Sequence, residues 1–192
     1  MRPPLPLALA LLLGACGDAP KQFASVEDQP NRWPVRSQLK ISIAEVAPDE
    51  VAVVVNNNAM GGSHAGLFIG ARLSDPSGGY VADRSRLKGW PGPSLRDYVD
   101  YQMDDGDKVR IYRFTLQPAE FAVIDERARA AGHTAPLFCA AAVHNQIAGI
   151  GPFKSIRDAW WVSPSGLAEQ LDRLVAGAQP AGSCQTPDGA RC

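Results

Sequence analysis

Ala135-Pro136-Leu137-Phe138-Cys139-Ala140-Ala141-Ala142-Val143-His144-Asn145 reads as an extended segment that turns into a helix at the cysteine. The helix runs on without charge to Ala148, where Gly149 and Gly151-Pro152 close it, so it belongs in the interior. A thiol at a helix start meets unpaired backbone N–H groups and the positive end of the dipole. Both favour thiolate and can bring such a group down to roughly pH 3.5–7.5. His64 opens a strand far upstream. A thiol set at a helix start and an imidazole set in a strand are the elements of a nucleophile and its base.

Working outward, the first half of the domain reads as strands. Gln38 to Val46 alternates through Leu39, Ile41 and Ile43, as a half-buried strand does, and Val51 to Val55 is a β-branched run of the fully buried kind. Asn56-Asn57-Asn58 and Gly61-Gly62 form a break before the strand Ser63-His64-Ala65-Gly66-Leu67-Phe68-Ile69-Gly70. Ala71 to Asp75 returns antiparallel until Pro76-Ser77-Gly78-Gly79 stops the pairing. That hairpin brings Asp75 back towards His64. Lys108 to Leu116 alternates again as a further strand.

Helices follow. Pro118 suits a first helical position, with Glu120 in the first turn, Phe121, Ile124 and Ala128 on one face, and Gly132 at the end. Ser163-Pro164 gives a cap and first residue for another helix, with Leu167, Leu171, Leu174 and Val175 facing inward. The expected class is α+β with an antiparallel sheet.

The start of the chain carries an address. Arg2 precedes an apolar run from Leu5 to Leu13, and Leu13-Gly14-Ala15-Cys16 matches a lipobox. The run is too short for a membrane span, which needs about 20 apolar residues. Residues 1–15 are therefore expected to be a lipoprotein signal peptide, and Cys16 the lipidated residue that anchors the chain to a membrane. Gly17, and not aspartate, follows Cys16, which under the enterobacterial sorting rule points to the outer membrane, facing the periplasm. Residues 16–36, with Pro20, Pro30 and Pro34, read as a tether, 37–176 as one domain, and 177–192 as a flexible tail.

A net charge of −1 and the absence of a Lys/Arg cluster exclude nucleic acid as the partner. Of four cysteines, Cys184 and Cys192 lie close together and can pair in an oxidising compartment, which leaves Cys139 as a lone thiol in the folded region. No Cys/His spacing supports a metal site and no cofactor is implied. Asp104-Asp105-Gly106-Asp107 is a fragment of a calcium loop without its later bidentate acid, so it reads as a solvated turn. His144 lies more than one helical turn beyond Cys139, off its face, and His133 sits in a Gly-His-Thr loop. Trp90 and Trp160-Trp161 read first as core residues and second as the lining of a groove.

The order of these segments carries a resemblance. Ser63-His64-Ala65-Gly66-Leu67-Phe68-Ile69, then Asp75-Pro76-Ser77-Gly78-Gly79-Tyr80, then Leu137-Phe138-Cys139-Ala140, then Ser163-Pro164-Ser165-Gly166-Leu167 with Leu171, resembles the circularly permuted branch of the NlpC-type papain-like cysteine peptidases and amidases. That branch places its histidine strand before its cysteine helix, and several members are bacterial lipoproteins. The likeness covers about residues 38–175. It implies a permuted papain-like fold, with Cys139 as nucleophile, His64 as general base, and Asp75 as the residue that orients the imidazole, Asp83 standing in reserve. The activity implied is hydrolysis of an amide or ester, with peptidoglycan stem peptides as the natural substrate and acylated molecules as the next choice. The chain departs from the pattern at Phe138, where permuted members usually carry a polar residue, often Asn. The alternative expectation is a catalytically silent lipoprotein of the same fold that binds a wall fragment or a protein partner.

Overall fold

Val51–Val55 forms the middle of a five-stranded antiparallel sheet of order β3-β2-β1-β4-β5, and all five of its side chains are buried. In the computed structural model, which describes residues 41–58, 63–135, 137–177 and 182–192, the strands are β1 (Glu50–Asn57), β2 (Ser63–Ile69), β3 (Arg72–Ser74), β4 (Val109–Thr115) and β5 (Gly182–Gln185). The helices are α1 (Gly79–Arg84), α2 (Leu95–Gln102), α3 (Pro118–Ala131), α4 (Cys139–Ile147) and α5 (Pro164–Val175). The expected signal peptide, Cys16, the tether and residues 38–40 lie outside the described residues.

A strand is buried on both sides only when both faces of its sheet are covered, and this chain covers both. Val51, Val53 and Val55 join Leu67, Phe114, Val143 and Leu171 in a core beneath α3, α4 and α5. Ala52 and Val54 join Phe68, Tyr80, Leu95, Tyr98 and Ile111 in a second core beneath α1 and α2. The α+β class and the antiparallel sheet follow the sequence reading.

The helix ends obey their local chemistry. Ser163 caps α5 by accepting from Gly166 N–H at 3.0 Å, with Pro164 as the first helical residue. Gln117 and Glu120 form a reciprocal capping box at the start of α3, with Pro118 between them. The sequence reading passed over α1 and α2. The second had a signal: Ser94 accepts from Asp97 N–H at 3.2 Å, and Leu95, Tyr98, Val99 and Gln102 make its buried face.

Three expectations are corrected. The segment 41–46, the described part of the strand expected from Gln38 to Val46, does not enter the sheet. Its alternation has another cause: Ile43 is buried, with Ile41 and Val46 packed beside it in the second core. From between them, the Glu45 carboxylate reaches α2 and accepts from Leu95 N–H at 2.7 Å and Arg96 N–H at 3.3 Å. Asn56 and Asn57, expected in a break, extend β1, because the buried Asn56 amide finds partners there. It donates to the Gln102 carbonyl at 2.9 Å and accepts from Asn58 N–H at 3.0 Å. Residues 182–192, expected to be a flexible tail, add β5 to the sheet through Tyr112↔Cys184 and Arg113↔Ser183 pairing, and a Cys184–Cys192 disulfide fastens the end of the chain to that strand.

A cross-link over so short a loop restricts the unfolded chain by about 2–3 kcal/mol. Replacing Cys184 and Cys192 with serine is expected to fray β5 from β4, so that amide exchange of Ser183–Gln185 accelerates while that of Val51–Val55 is unchanged. Exchange measured by mass spectrometry checks this.

Candidate functional site

The β2–β3 hairpin sets the geometry. β3 pairs only with Leu67–Ile69, through Leu67↔Ser74, Phe68↔Leu73 and Ile69↔Arg72, so it ends where the Asp75 turn begins. That turn folds back along the first half of β2. There, His64 Nε2 lies 2.9 Å from Asp75 Oδ1, with the His64 side chain 11% and the Asp75 side chain 2% exposed.

Asp75 is satisfied on both oxygens. Oδ1 also accepts from Ser77 Oγ at 3.2 Å, and Oδ2 accepts from Tyr80 N–H at 3.3 Å, in the first turn of α1. Burial by itself would raise this carboxyl. The His64 hydrogen bond and charge, with the Ser77 and Tyr80 bonds, outweigh it and hold Asp75 below the usual carboxylate range. An ionised Asp75 accepts only, so the bond requires the proton on His64 Nε2. In neutral imidazole the lone pair then sits on Nδ1, which is the nitrogen free to act as a base.

Cys139 is the first residue of α4 and is 2% exposed. α4 packs on β2, and the segment just before it is tied to the Asp75 turn. Thr134 N–H donates to the Pro76 carbonyl at 2.9 Å. The His133 ring lies against Gly78, where an added Cβ would meet its Cε1 at 2.7 Å. Between that tie and the cysteine, Leu137 holds φ +77°, in the left-handed region that a non-glycine residue rarely occupies, and Phe138 sits at φ −107°, ψ 5° without any side-chain cap. Strain of this kind concentrates at functional positions.

A residue the sequence reading missed lies beneath the same place. Tyr98 is fully buried on α2, edge-on to Phe68, and its hydroxyl has no hydrogen-bond partner among the described residues. It lies against Gly66, two residues beyond His64 on the same face of β2, where an added Cβ would meet the hydroxyl at 2.2 Å and Cζ at 2.8 Å. Burial, and then the charges of Asp75 and Cys139, push its phenol well above the usual tyrosine range. No sequence pattern marked Tyr98, although the glycine in the middle of β2 marked the close approach of something.

The other candidates are accounted for elsewhere. Asp83, the reserve orienting residue, accepts from Tyr101 Oη at 2.8 Å. His144 is buried on α4, with Nδ1 3.3 Å from Asn145 Oδ1 and no partner for Nε2 among the described residues. His133 is exposed. Trp90 packs edge-on to Tyr80 and donates to Asp97 at 3.3 Å, so its part is structural. Trp160 and Trp161, read first as core, are 85% and 46% exposed. Met103–Asp105 forms a 3-10 turn, and no group of three metal-ligating side chains occurs among the described residues. No helix of the described residues is long and apolar enough to cross a membrane.

Comparison with protein-family models, with curated proteins and with solved structures gives no match for this chain.

Two outcomes follow from the geometry. Gly66→Ala is expected to cost about 1–3 kcal/mol by driving a methyl into the Tyr98 ring, and Gly66→Ala with Tyr98→Phe is expected to recover part of it, both read by urea unfolding. Asp75, with its folded pKa lowered, stabilises the fold above the unfolded carboxyl value of about 3.9, and that contribution is lost as pH falls through the folded value. Asp75→Asn is expected to flatten the slope of stability between about pH 5 and pH 2 relative to the parent chain.

Proposed function

We propose that the chain is a cell-envelope thiol hydrolase of permuted papain-like fold, which cleaves an amide or ester bond through an acyl-enzyme on Cys139. The observation that carries this reading is the buried His64–Asp75 hydrogen bond, made through Nε2, beside the turn to which the Cys139 segment is tied. In the proposed reaction the Nδ1 lone pair takes the Cys139 proton and the thiolate adds to the substrate carbonyl. Amide N–H groups in the first turn of α4 hold the oxyanion, since no intrahelical carbonyl engages them. His64 then protonates the leaving group, while Asp75 keeps the ring in one tautomer and offsets its charge. Water hydrolyses the thioester by the same base.

The natural substrate under this reading is a peptidoglycan stem peptide, with acylated molecules second, met by a chain whose Cys16 anchors it by lipid to the outer membrane. The supports for that setting are the lipobox at Leu13–Cys16 and the oxidised Cys184–Cys192 pair, which suits an oxidising compartment. The 2% exposure of Cys139 favours the second reading, a silent binder of the same fold.

The two readings give different thiol chemistry. On the hydrolase reading, iodoacetamide at neutral pH labels Cys139 quickly in the folded chain, and His64→Ala slows labelling at least tenfold at a temperature where circular dichroism shows the variant still folded. Turnover on muropeptides falls about 10²–10⁴-fold in the same variant. Equally slow labelling of parent and variant belongs to the binder.

A further inference from the structure

The chain leaves β3 in a tight turn, Asp75–Gly78, closed by a bond from Gly78 N–H to the Asp75 carbonyl at 3.0 Å, with Pro76 at the second position, where proline presets φ. Its first side chain, Asp75, holds His64. The carbonyl of the buried Pro76 accepts twice from Thr134, from N–H at 2.9 Å and from Oγ1 at 3.4 Å. Gly78, at φ +72°, takes the edge of the His133 ring, and an added Cβ there would meet Cε1 at 2.7 Å and Nδ1 at 2.9 Å. Two adjacent residues of the α3–α4 connection thus dock on the four residues that follow β3.

That docking is the hold of the connection on the rest of the fold. Its other hydrogen bonds among the described residues stay within itself and α4, from Phe138 N–H to the Ala135 carbonyl at 3.3 Å and from Ala142 N–H to the Phe138 carbonyl at 2.8 Å. No side chain caps α4, so no side-chain cap fixes where it begins. Between the docked pair and the helix, Leu137 holds φ +77°. A non-glycine residue stays in that region only where its surroundings determine it on both sides. Packing of α4 on β2 pins one side, and His133 with Thr134 pins the other.

We propose, resting on the hydrolase reading, that His133 and Thr134 are positioning residues for Cys139: seated on Gly78 and Pro76, they set the nucleophile against an imidazole that the same turn orients. One turn then places both groups, so a shift of the turn moves them together and preserves their separation. That separation governs the thiol. Widening a thiolate–imidazolium gap from about 3.5 Å to about 5 Å, at an effective dielectric constant of about 20, weakens the pairing roughly tenfold, which is about one pH unit in the titration of the thiol. Placement to a fraction of an ångström also governs the rate of attack. The contact at Gly78 needs a ring and not a charge, so His133→Phe keeps it.

The test follows iodoacetamide labelling of Cys139 in the full chain as a function of pH, by mass spectrometry, at a temperature where circular dichroism shows every variant folded. His133 is exposed and Thr134 half-buried, so changing them empties no core. His133→Ala with Thr134→Val is expected to raise the pH midpoint of labelling by about 0.5–1 unit, and either change alone to raise it by less. His133→Phe with Thr134→Ser, which keeps the ring and the hydroxyl, is expected to leave the midpoint at the parent value. A midpoint unmoved in the first pair, or moved equally in the second, overturns the proposal and leaves the hydrolase reading standing. Parent labelling that is slow and indifferent to His64→Ala removes the hydrolase reading, and the proposal with it.

Discussion

The hydrogen bond between His64 and Asp75 is the constraint around which this end of the molecule is arranged. A carboxylate that is 2% exposed costs several kcal/mol to desolvate unless it is fully bonded. Here the imidazole, the Ser77 hydroxyl and the Tyr80 amide together meet that cost, which is why Asp75 stays ionised more readily than an ordinary aspartate. Each partner is delivered by a different element: β2 brings His64, the turn brings Ser77, and the start of α1 brings Tyr80. Removing any one weakens the case for the others. The same bond decides which imidazole nitrogen bears the proton, and so converts a structural contact into a chemical polarity.

Around that pair, the two cores have different parts. The core under α3, α4 and α5 is mostly aliphatic, with Phe114 edge-on to Phe153, and fixes α4, with Cys139 at its first residue, against β2. The core under α1 and α2 is rich in aromatic rings, with Tyr80 edge-on to Tyr98, Trp90 and Tyr101. Its hydroxyls find carboxylates: Tyr80 Oη donates to Asp97 at 2.7 Å and Tyr101 Oη to Asp83 at 2.8 Å. Tyr98 is the exception, a buried phenol beneath Gly66 whose hydroxyl has no partner among the described residues. Tyrosine in a core normally finds a partner for its hydroxyl. Its hydroxyl lies against Gly66, two residues along β2 from His64, so the exception falls beside the candidate site.

How much of this was legible in the sequence depended on whether a signal was local. The Val51–Val55 run, the hairpin from Ser63 to Ser74, the Pro118 and Ser163-Pro164 helix starts and the Gly132 stop are all set by nearest neighbours, and each was readable. The approach of Asp75 to His64 was readable too, because a short hairpin leaves few alternatives. What escaped was non-local. Glu45 caps a helix that begins at Leu95, so the alternation around it resembled a strand. Asn56 stays in β1 because Gln102, far along the chain, accepts from it. The end of the chain becomes an edge strand through β4 and a disulfide, although its Gly, Pro and small polar residues read as tail. Trp160 and Trp161 read as core by composition, and only the fold shows them turned to water.

The account stands on the polarity of one imidazole. Nitrogen NMR of the uniformly labelled chain, comparing the free protein with the protein alkylated at Cys139, measures it directly. The account predicts that His64 Nε2 carries a proton bonded to Asp75, and that alkylation shifts the Nδ1 resonance and leaves Nε2 nearly unmoved. An Nε2 without a proton, or an Nδ1 resonance indifferent to the state of Cys139, would contradict it.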